Sequence, residues 1–492
     1  MFGKSYFTGI ILIFLMFFTT ILIRHDSTAG NAGIENIQAT YHSLLTINSL
    51  SSLPIKESFL LPTVNFSGDI NKNVPWAASL ITRDGNYVYT SFPSFGFIAP
   101  YIIIRALGGA LNLESLLLVN YTFLLLTMLL FYTSLYIISY RNKESERTSV
   151  FQAVAGCSVM AFSAESLISS GLVYWPQSLS QLLLSVILLI LCLRNNKHKA
   201  AINISLFIAV FLISWTEWTG YVFSAAFLLY SSISRYEHWK RFSIISCVAS
   251  FAAAVVYIVQ IHEAIDFQSF LKTSLERYAS RGTSNANFLM LLYGYWISFG
   301  TFTIFALTSP LFLKNRNTRF IMVICLIPLI ENLLLASHAT SFTFDRWKLA
   351  FPIGLSIALT LNNFKKQTAA IIALLFISSS IGVTQYNKKI GDFGPWASVD
   401  KKNHLLANEA VLATNMGCTK IYTDTQVRGY TVMLFMRSVY EGMPTHPNDV
   451  MSSENDVCSV IIVRGVMFKP DIPEFKSIEV WKRGVNSPLV FN

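Results

Sequence analysis

The chain has 492 residues, 53% hydrophobic and only 13% charged, with a formal net charge of +10. Soluble domains carry roughly a quarter charged residues, so a water-soluble globular protein is excluded. The Lys and Arg excess sits in short gaps between apolar runs, a topology signal, and no basic stripe interleaved with aromatics points to a nucleic-acid partner.

Tyr6–Ile23 is an apolar run of about 18 residues behind Lys4, longer than the ~7–15 residues of a signal-peptide core. A retained helix is therefore expected, although Ser27-Thr28-Ala29-Gly30 resembles a cleavage site. Further runs long enough to span, at ~17–25 residues each, are expected near 114–140, 149–164, 177–193, 200–216, 219–234, 243–261, 289–313, 320–336, 349–362 and 368–384. The chain thus reads as a polytopic α-helical membrane protein with about eleven spanning helices.

Charge sets the direction. With a cytoplasmic N-terminus, the even gaps carry Arg141 and Arg147, Arg194 and Lys199, Lys240 and Arg241, Lys314 and Arg319, and Lys365 with Lys366. All are short and basic, as the positive-inside rule requires. The bulky polar segments then fall outside: 24–97, 262–288 and the tail 385–492. The second of these breaks the rule, since it holds Lys272, Arg277 and Arg281.

In the first outer loop, Asp26, Glu35 and Asp69 are candidate bases, and Glu35 is favoured by its closeness to the first helix. The loop closes on Tyr87-Val-Tyr89-Thr-Ser-Phe92-Pro93. Ile98–Leu107 is short for a span and suits an interfacial helix. Ionisable groups at membrane depth are costly and become functional candidates. They are Glu217 within Trp215-Thr-Glu217-Trp218, Glu331, His338, Asp345, Arg346 and Lys348. A plainer reading stands beside each: a helix-end residue at headgroup level, or a local ion pair.

The membrane module covers 1–384. In the tail, helical stretches at His404–Met416 and Gly429–Tyr440 alternate with short apolar strands near Lys420, Ser459 and Ser477, which reads as a small α/β domain. Cys418 and Cys458 each stand at a strand start and can pair in an oxidising compartment. No metal-ligand spacing and no Gly-rich phosphate loop occurs, so no cofactor is expected, a divalent metal ion staying open as the alternative.

Many helices, a long acidic outer loop after the first helix, the Tyr/Pro segment around Tyr89 and an outer C-terminal domain together resemble the GT-C class of membrane glycosyltransferases. Within it the chain is most similar to the serotype-converting O-antigen glucosyltransferases of bacteria and their phages. The class often has paired acids early in the first loop, whereas here Glu35 stands alone.

The resemblance implies a bacterial inner-membrane enzyme with a periplasmic tail. Its partners would be the lipid bilayer, an undecaprenyl-phosphate-glucose donor and a polysaccharide acceptor, with an inverting displacement. Arg277, Arg281, Arg346 and Lys348 would bind the donor phosphate, for which a guanidinium fork is well shaped. Trp175, Trp215 and Trp218 are aromatic surfaces for sugar or prenyl chain. An O-antigen polymerase is the rival enzyme, and a lipid-linked sugar flippase the rival of another class. No internal repeat of the kind transporters show is visible.

Overall fold

The computed structural model describes residues 3–28, 37–65, 80–142, 144–193, 199–234, 237–282, 287–314, 316–392, 394–424, 440–468 and 472–492. Glu35, Asp69 and nearly all of the expected Gly429–Tyr440 helix lie outside them.

After α1 (Lys4–Ile23) come α2 (Ile37–Ser52), a two-stranded pair of β1 (Leu80–Ile81) with β2 (Tyr87–Val88), and α3 (Phe95–Ala106). The bundle continues with α4 (Leu113–Arg141), α5 (Glu146–Phe162), the short α6 (Ala164–Ser169), α7 (Pro176–Cys192), α8 (Lys199–Ser214), α9 (Thr219–Ser234) and α10 (Glu237–Ala264). Then follow α11 (Phe267–Arg281), α12 (Phe288–Phe299), α13 (Arg316–Leu326), α14 (Leu329–Leu334), α15 (Ala336–Ser341), α16 (Ala350–Asn363) and α17 (Thr368–Asp392). Helix covers each apolar run expected from the sequence. Among the described residues, five helical stretches are individually long and apolar enough to cross a bilayer, and the protein is a multi-pass membrane protein.

Side-chain caps set several starts. Asn112 accepts from Ser115 N–H at 3.0 Å, Ser145 from Thr148 at 3.2 Å and Asp266 from Ser269 at 2.8 Å, each satisfying an otherwise orphaned donor. Two expected runs are interrupted. The 289–313 run stops at Gly300, whose φ of +54° suits glycine, and resumes after one 3₁₀ turn. The 320–336 run breaks before Pro328, because proline disfavours helix in the residue preceding it.

Within lipid, helices associate through small residues that let backbones approach and through interhelical hydrogen bonds. Both devices occur here. A Cβ on Gly156 would stand 2.7 Å from the Gly354 carbonyl oxygen, and one on Gly354 2.5 Å from that of Gly156. Ser250 of α10 is bonded to Ser214 of α8 at 2.8 Å and to Ser224 of α9 at 2.7 Å, and Ser231 of α9 meets Ser243 of α10 at 2.7 Å.

At the end of the bundle where α1 begins, the Tyr6 amide donates to Glu146 Oε1 at 3.3 Å, and separately Arg141 donates to the Cys192 carbonyl. At the far end, Arg24 follows α1 fully buried. Its guanidinium donates to the carbonyls of Leu167 at 2.6 Å and Ser166 at 2.8 Å and to Thr20 at 2.7 Å, and lies over the Tyr121 ring.

The last helix does not stop at 384. α17 continues through Gln385 to Asp392 because Tyr386 is buried against Leu167, Ile168, Leu172 and Val173 and is hydrogen-bonded to Ser27 at 2.7 Å. The tail then folds as α18 (Gly394–Leu412) on a sheet of β3 (Thr419–Thr423), β4 (Tyr440–Glu441), β5 (Ser459–Phe468), β6 (Ile472–Lys482) and β7 (Leu489–Phe491). The strand order is β4-β3-β5-β6-β7, with β3 parallel to β4 and β5 and the other pairs antiparallel. Alternation along β5 buries both faces. Ile461 and Val463 join Leu406, Ala407 and Ala410 of α18, while Val460 and Ile462 face Met451 and Val457. A Cys418–Cys458 disulfide joins the residues just ahead of β3 and β5.

Candidate active site

A cavity of about 260 Å³ opens at the far end of the bundle, where five chain segments converge. The Thr90–Phe92 turn forms one wall and α11 another. Glu217 and Trp218 enter from the turn between α8 and α9. Glu331, Leu334, Leu335 and His338 come from α14 and α15, and Gln177 and Asp345 close the floor.

The Tyr/Pro segment is held in place from both sides. Trp218 Nε1 donates to the Ser91 carbonyl at 2.9 Å, the Phe95 amide donates to the Trp215 carbonyl at 2.9 Å, and the Phe95 and Trp215 rings stack. From across the cavity, Arg277 Nη1 donates to Thr90 Oγ1 at 3.1 Å and Ser91 Oγ at 2.9 Å, with its guanidinium 5.5 Å from the Tyr89 ring centre. α11 is amphipathic, which explains this placement. Phe270 is buried against Tyr257, whereas Leu271, Leu275 and Tyr278 are exposed, as in a helix lying along a membrane surface. Burial holds the Arg277 guanidinium below its ordinary pKa, yet a guanidinium stays protonated at neutral pH.

Beneath Tyr89 lies an aromatic nest. His42 of α2 meets Tyr89 at 4.4 Å and Trp175 at 5.3 Å between ring centres, and Trp175 also touches Phe92 and Phe344. Burial, with Arg277 nearby, pushes His42 down to about 3.

The acids form two separate sets. Lys348 Nζ donates to Glu331 Oε2 at 2.6 Å and Glu217 Oε1 at 3.2 Å, and Glu331 also accepts from Thr219. Glu217 Oε2 has no hydrogen-bond partner among the described residues. In the second set, Asp345 is bonded to His338 Nδ1 through Oδ2 and accepts from Gln177 Nε2 at 2.8 Å through Oδ1.

Of the expected phosphate-binding residues, Arg277 and Arg281 line the cavity. Lys348 is occupied by its two carboxylates, and Arg346 turns away to donate to the Thr340 carbonyl at 3.2 Å. Tyr89, Glu217, Glu331, His338 and Asp345 gather at or beside the cavity. Asp26 does not: it is 85% exposed next to His25. Trp218 lines the cavity, while Trp175 is buried in the aromatic nest and Trp215 packs on Phe95.

Sequence reasoning missed Gln177, which follows the helix-starting Pro176, and the hydroxyls of Thr90 and Ser91. It also missed Glu165, buried with Ser169 and Ser298 as hydrogen-bond partners; an acid inside an apolar stretch was the available signal. Among the described residues no group of three or more His, Cys, Asp or Glu is placed to hold a metal ion.

Solved structures share this architecture. ArnT from Cupriavidus metallidurans bound to undecaprenyl phosphate superposes with a TM-score of 0.56 at 11% identity over 94% of each chain. Its apo state gives 0.54 at 10% identity, over 93% of this chain and 92% of that one. The Archaeoglobus fulgidus oligosaccharyltransferase with Zn and sulfate gives 0.50 at 10%, covering 92% of this chain and 68% of that one. The chain has the GT-C fold. No family model and no curated protein sequence matches it. Within this fold the acid-lined cavity lies between the membrane helices and the segments at the far end of the bundle.

Proposed function

We propose that the protein transfers a sugar, glucose, from a polyprenyl-phosphate carrier to an O-antigen or related surface glycan. The observation that carries this reading is a single cavity with Arg277 and Arg281 on one wall and Glu217, Glu331 and Asp345 on another. The reaction needs a cation where negative charge grows on the departing phosphate and polar groups to fix sugar hydroxyls. The exposed apolar residues of α11 beside the arginines suit a donor presented by the bilayer. The undecaprenyl phosphate bound by ArnT supports a lipid carrier of this class. The positive-inside pattern supports a periplasmic cavity and tail in a bacterial inner membrane.

An acceptor hydroxyl attacking opposite the phosphate inverts the anomeric centre in one displacement. That step needs a proton acceptor; the first-loop candidates Glu35 and Asp69 lie outside the described residues, so the acceptor is sought among the groups that line the cavity.

The test uses the full chain in nanodiscs with undecaprenyl-phosphate-glucose and a lipid-linked O-antigen repeat. A product one hexose heavier, with glucosyl configuration inverted relative to the donor, is expected. No transfer from this donor or from other polyprenyl-phosphate sugars overturns the reading. Joining of whole repeat units without donor would point to a polymerase instead.

A further inference from the structure

Resting on the glycosyltransferase reading, we infer that His338 takes the proton from the attacking acceptor hydroxyl, with Asp345 as its positioning residue. The His338 ring lines the cavity, and its Nδ1 is bonded to the Asp345 carboxylate. A carboxylate at Nδ1 accepts the ring proton there, which leaves a lone pair on Nε2. Nε2 has no hydrogen-bond partner among the described residues. The base therefore carries its proton-accepting atom unengaged, with the opposite nitrogen fixed.

Further donors hold the Asp345 carboxylate and backbone. Gln177 donates to the other oxygen of Asp345 at 2.8 Å, and Asn332 Nδ2 donates to the Asp345 carbonyl at 3.0 Å and to Tyr295 at 2.7 Å. Phe342 lies against the imidazole, with ring centres 4.4 Å apart. A base held by an orienting carboxylate, itself held by further donors, is the arrangement a proton-transfer residue requires. The carboxylates closest in the cavity are less suited. Glu331 and Glu217 are both committed to the Lys348 ammonium that joins their segments. Glu217 Oε2, without a hydrogen-bond partner among the described residues, fits a sugar hydroxyl donor better.

In the step itself, the acceptor oxygen forms a bond to the anomeric carbon while the bond from that carbon to the phosphate oxygen breaks. The hydroxyl proton moves to His338 Nε2, and Asp345 faces the resulting imidazolium. The phosphodiester donor leaves as polyprenyl phosphate with one more negative charge, opposite Arg277 and Arg281. The proton is returned to water.

The charged groups around the imidazole are Asp345 beside it, Glu331 from α14, Glu217 from the α8–α9 turn, Arg277 and Arg281 from α11, and Lys348 behind Glu331. The test compares wild type, H338Q, D345N and E35Q in nanodiscs with undecaprenyl-phosphate-glucose and the lipid-linked repeat. For H338Q, kcat falls by roughly 10²–10⁴-fold, the donor KM changes less than about threefold, and the acid limb of the kcat/KM pH profile disappears. D345N lowers kcat and moves that limb, and in a further variant, H338A, added imidazole partly restores kcat. Binding of undecaprenyl phosphate reports folding of each variant, and D345N carries the test if H338Q does not fold. An acid limb kept in H338Q, or lost in E35Q alone, overturns the inference while the functional reading stands. A wild type that transfers no sugar overturns both.

Discussion

Lys348 Nζ lies 2.6 Å from Glu331 Oε2, and their side chains are only 1% and 6% exposed. Glu217 completes the group at 3.2 Å and 1% exposure. One cation thereby joins the α8–α9 turn, α14 and the segment before α16. Removing one partner of a buried pair leaves an uncompensated charge and costs about 3–5 kcal/mol. Lys348→Met should therefore lower the thermal midpoint in detergent sharply, because two carboxylates then face each other. The triple variant K348M/E217Q/E331Q should regain much of the loss. A midpoint unchanged in K348M would show that the triad is not holding these segments together.

Arg277 reaches two hydroxyls and a tyrosine ring with one planar group, a task lysine cannot reproduce. Arg277→Lys is expected to weaken binding of undecaprenyl phosphate about tenfold, near 1.4 kcal/mol, and Arg277→Ala more. Titration calorimetry or microscale thermophoresis in nanodiscs measures this, with Arg346→Lys as a comparison that should move the affinity little.

His42 lies on α2, outside the membrane helices, and burial pushes it down to about 3. The folded protein keeps this imidazole neutral, whereas the unfolded chain protonates it near pH 6.5. The contribution is fully present above pH 6.5 and is lost progressively as pH falls from there toward 3. Melting curves between pH 8 and 5 should show a declining midpoint, and His42→Gln should flatten the part of that slope due to this residue.

The Cys418–Cys458 bridge spans a sequence separation of 40. Closing a loop of that length stabilises by about 4 kcal/mol on the chain-entropy account. Cys418→Ser should make the tail sheet exchange amide protons faster around β3 and β5 while protection in α4 and α5 stays unchanged.

The helices were legible because each needs a long apolar run, and the two breaks follow from Gly300 and Pro328, residues visible in the sequence. Arg277 and Arg281 stood out because they violate a charge rule. The partnering within the site was not legible. Lys348 read as a phosphate ligand because nothing local shows that Glu217, 131 residues away, and Glu331 occupy it. Gln177 was equally hidden, since its partner Asp345 is 168 residues distant. The extension of α17 past 384 rests on Tyr386 finding a pocket made by α6 and the end of α1, a tertiary effect no periodicity reports.

The Ser27–Tyr386 bond also sets an order of events during synthesis. Ser27 is made early and its partner 359 residues later, so this corner stays open until the last membrane helix leaves the ribosome. Arg24, three residues before Ser27, is buried only when the carbonyls of Ser166 and Leu167, 142 and 143 residues downstream, have been inserted. The guanidinium must therefore wait in the headgroup layer for about 140 residues of translation, roughly seven to thirty seconds at about 5–20 residues per second. A nascent chain stalled before residue 160 would leave that arginine exposed, and one stalled before residue 380 would close the first contact but not the second.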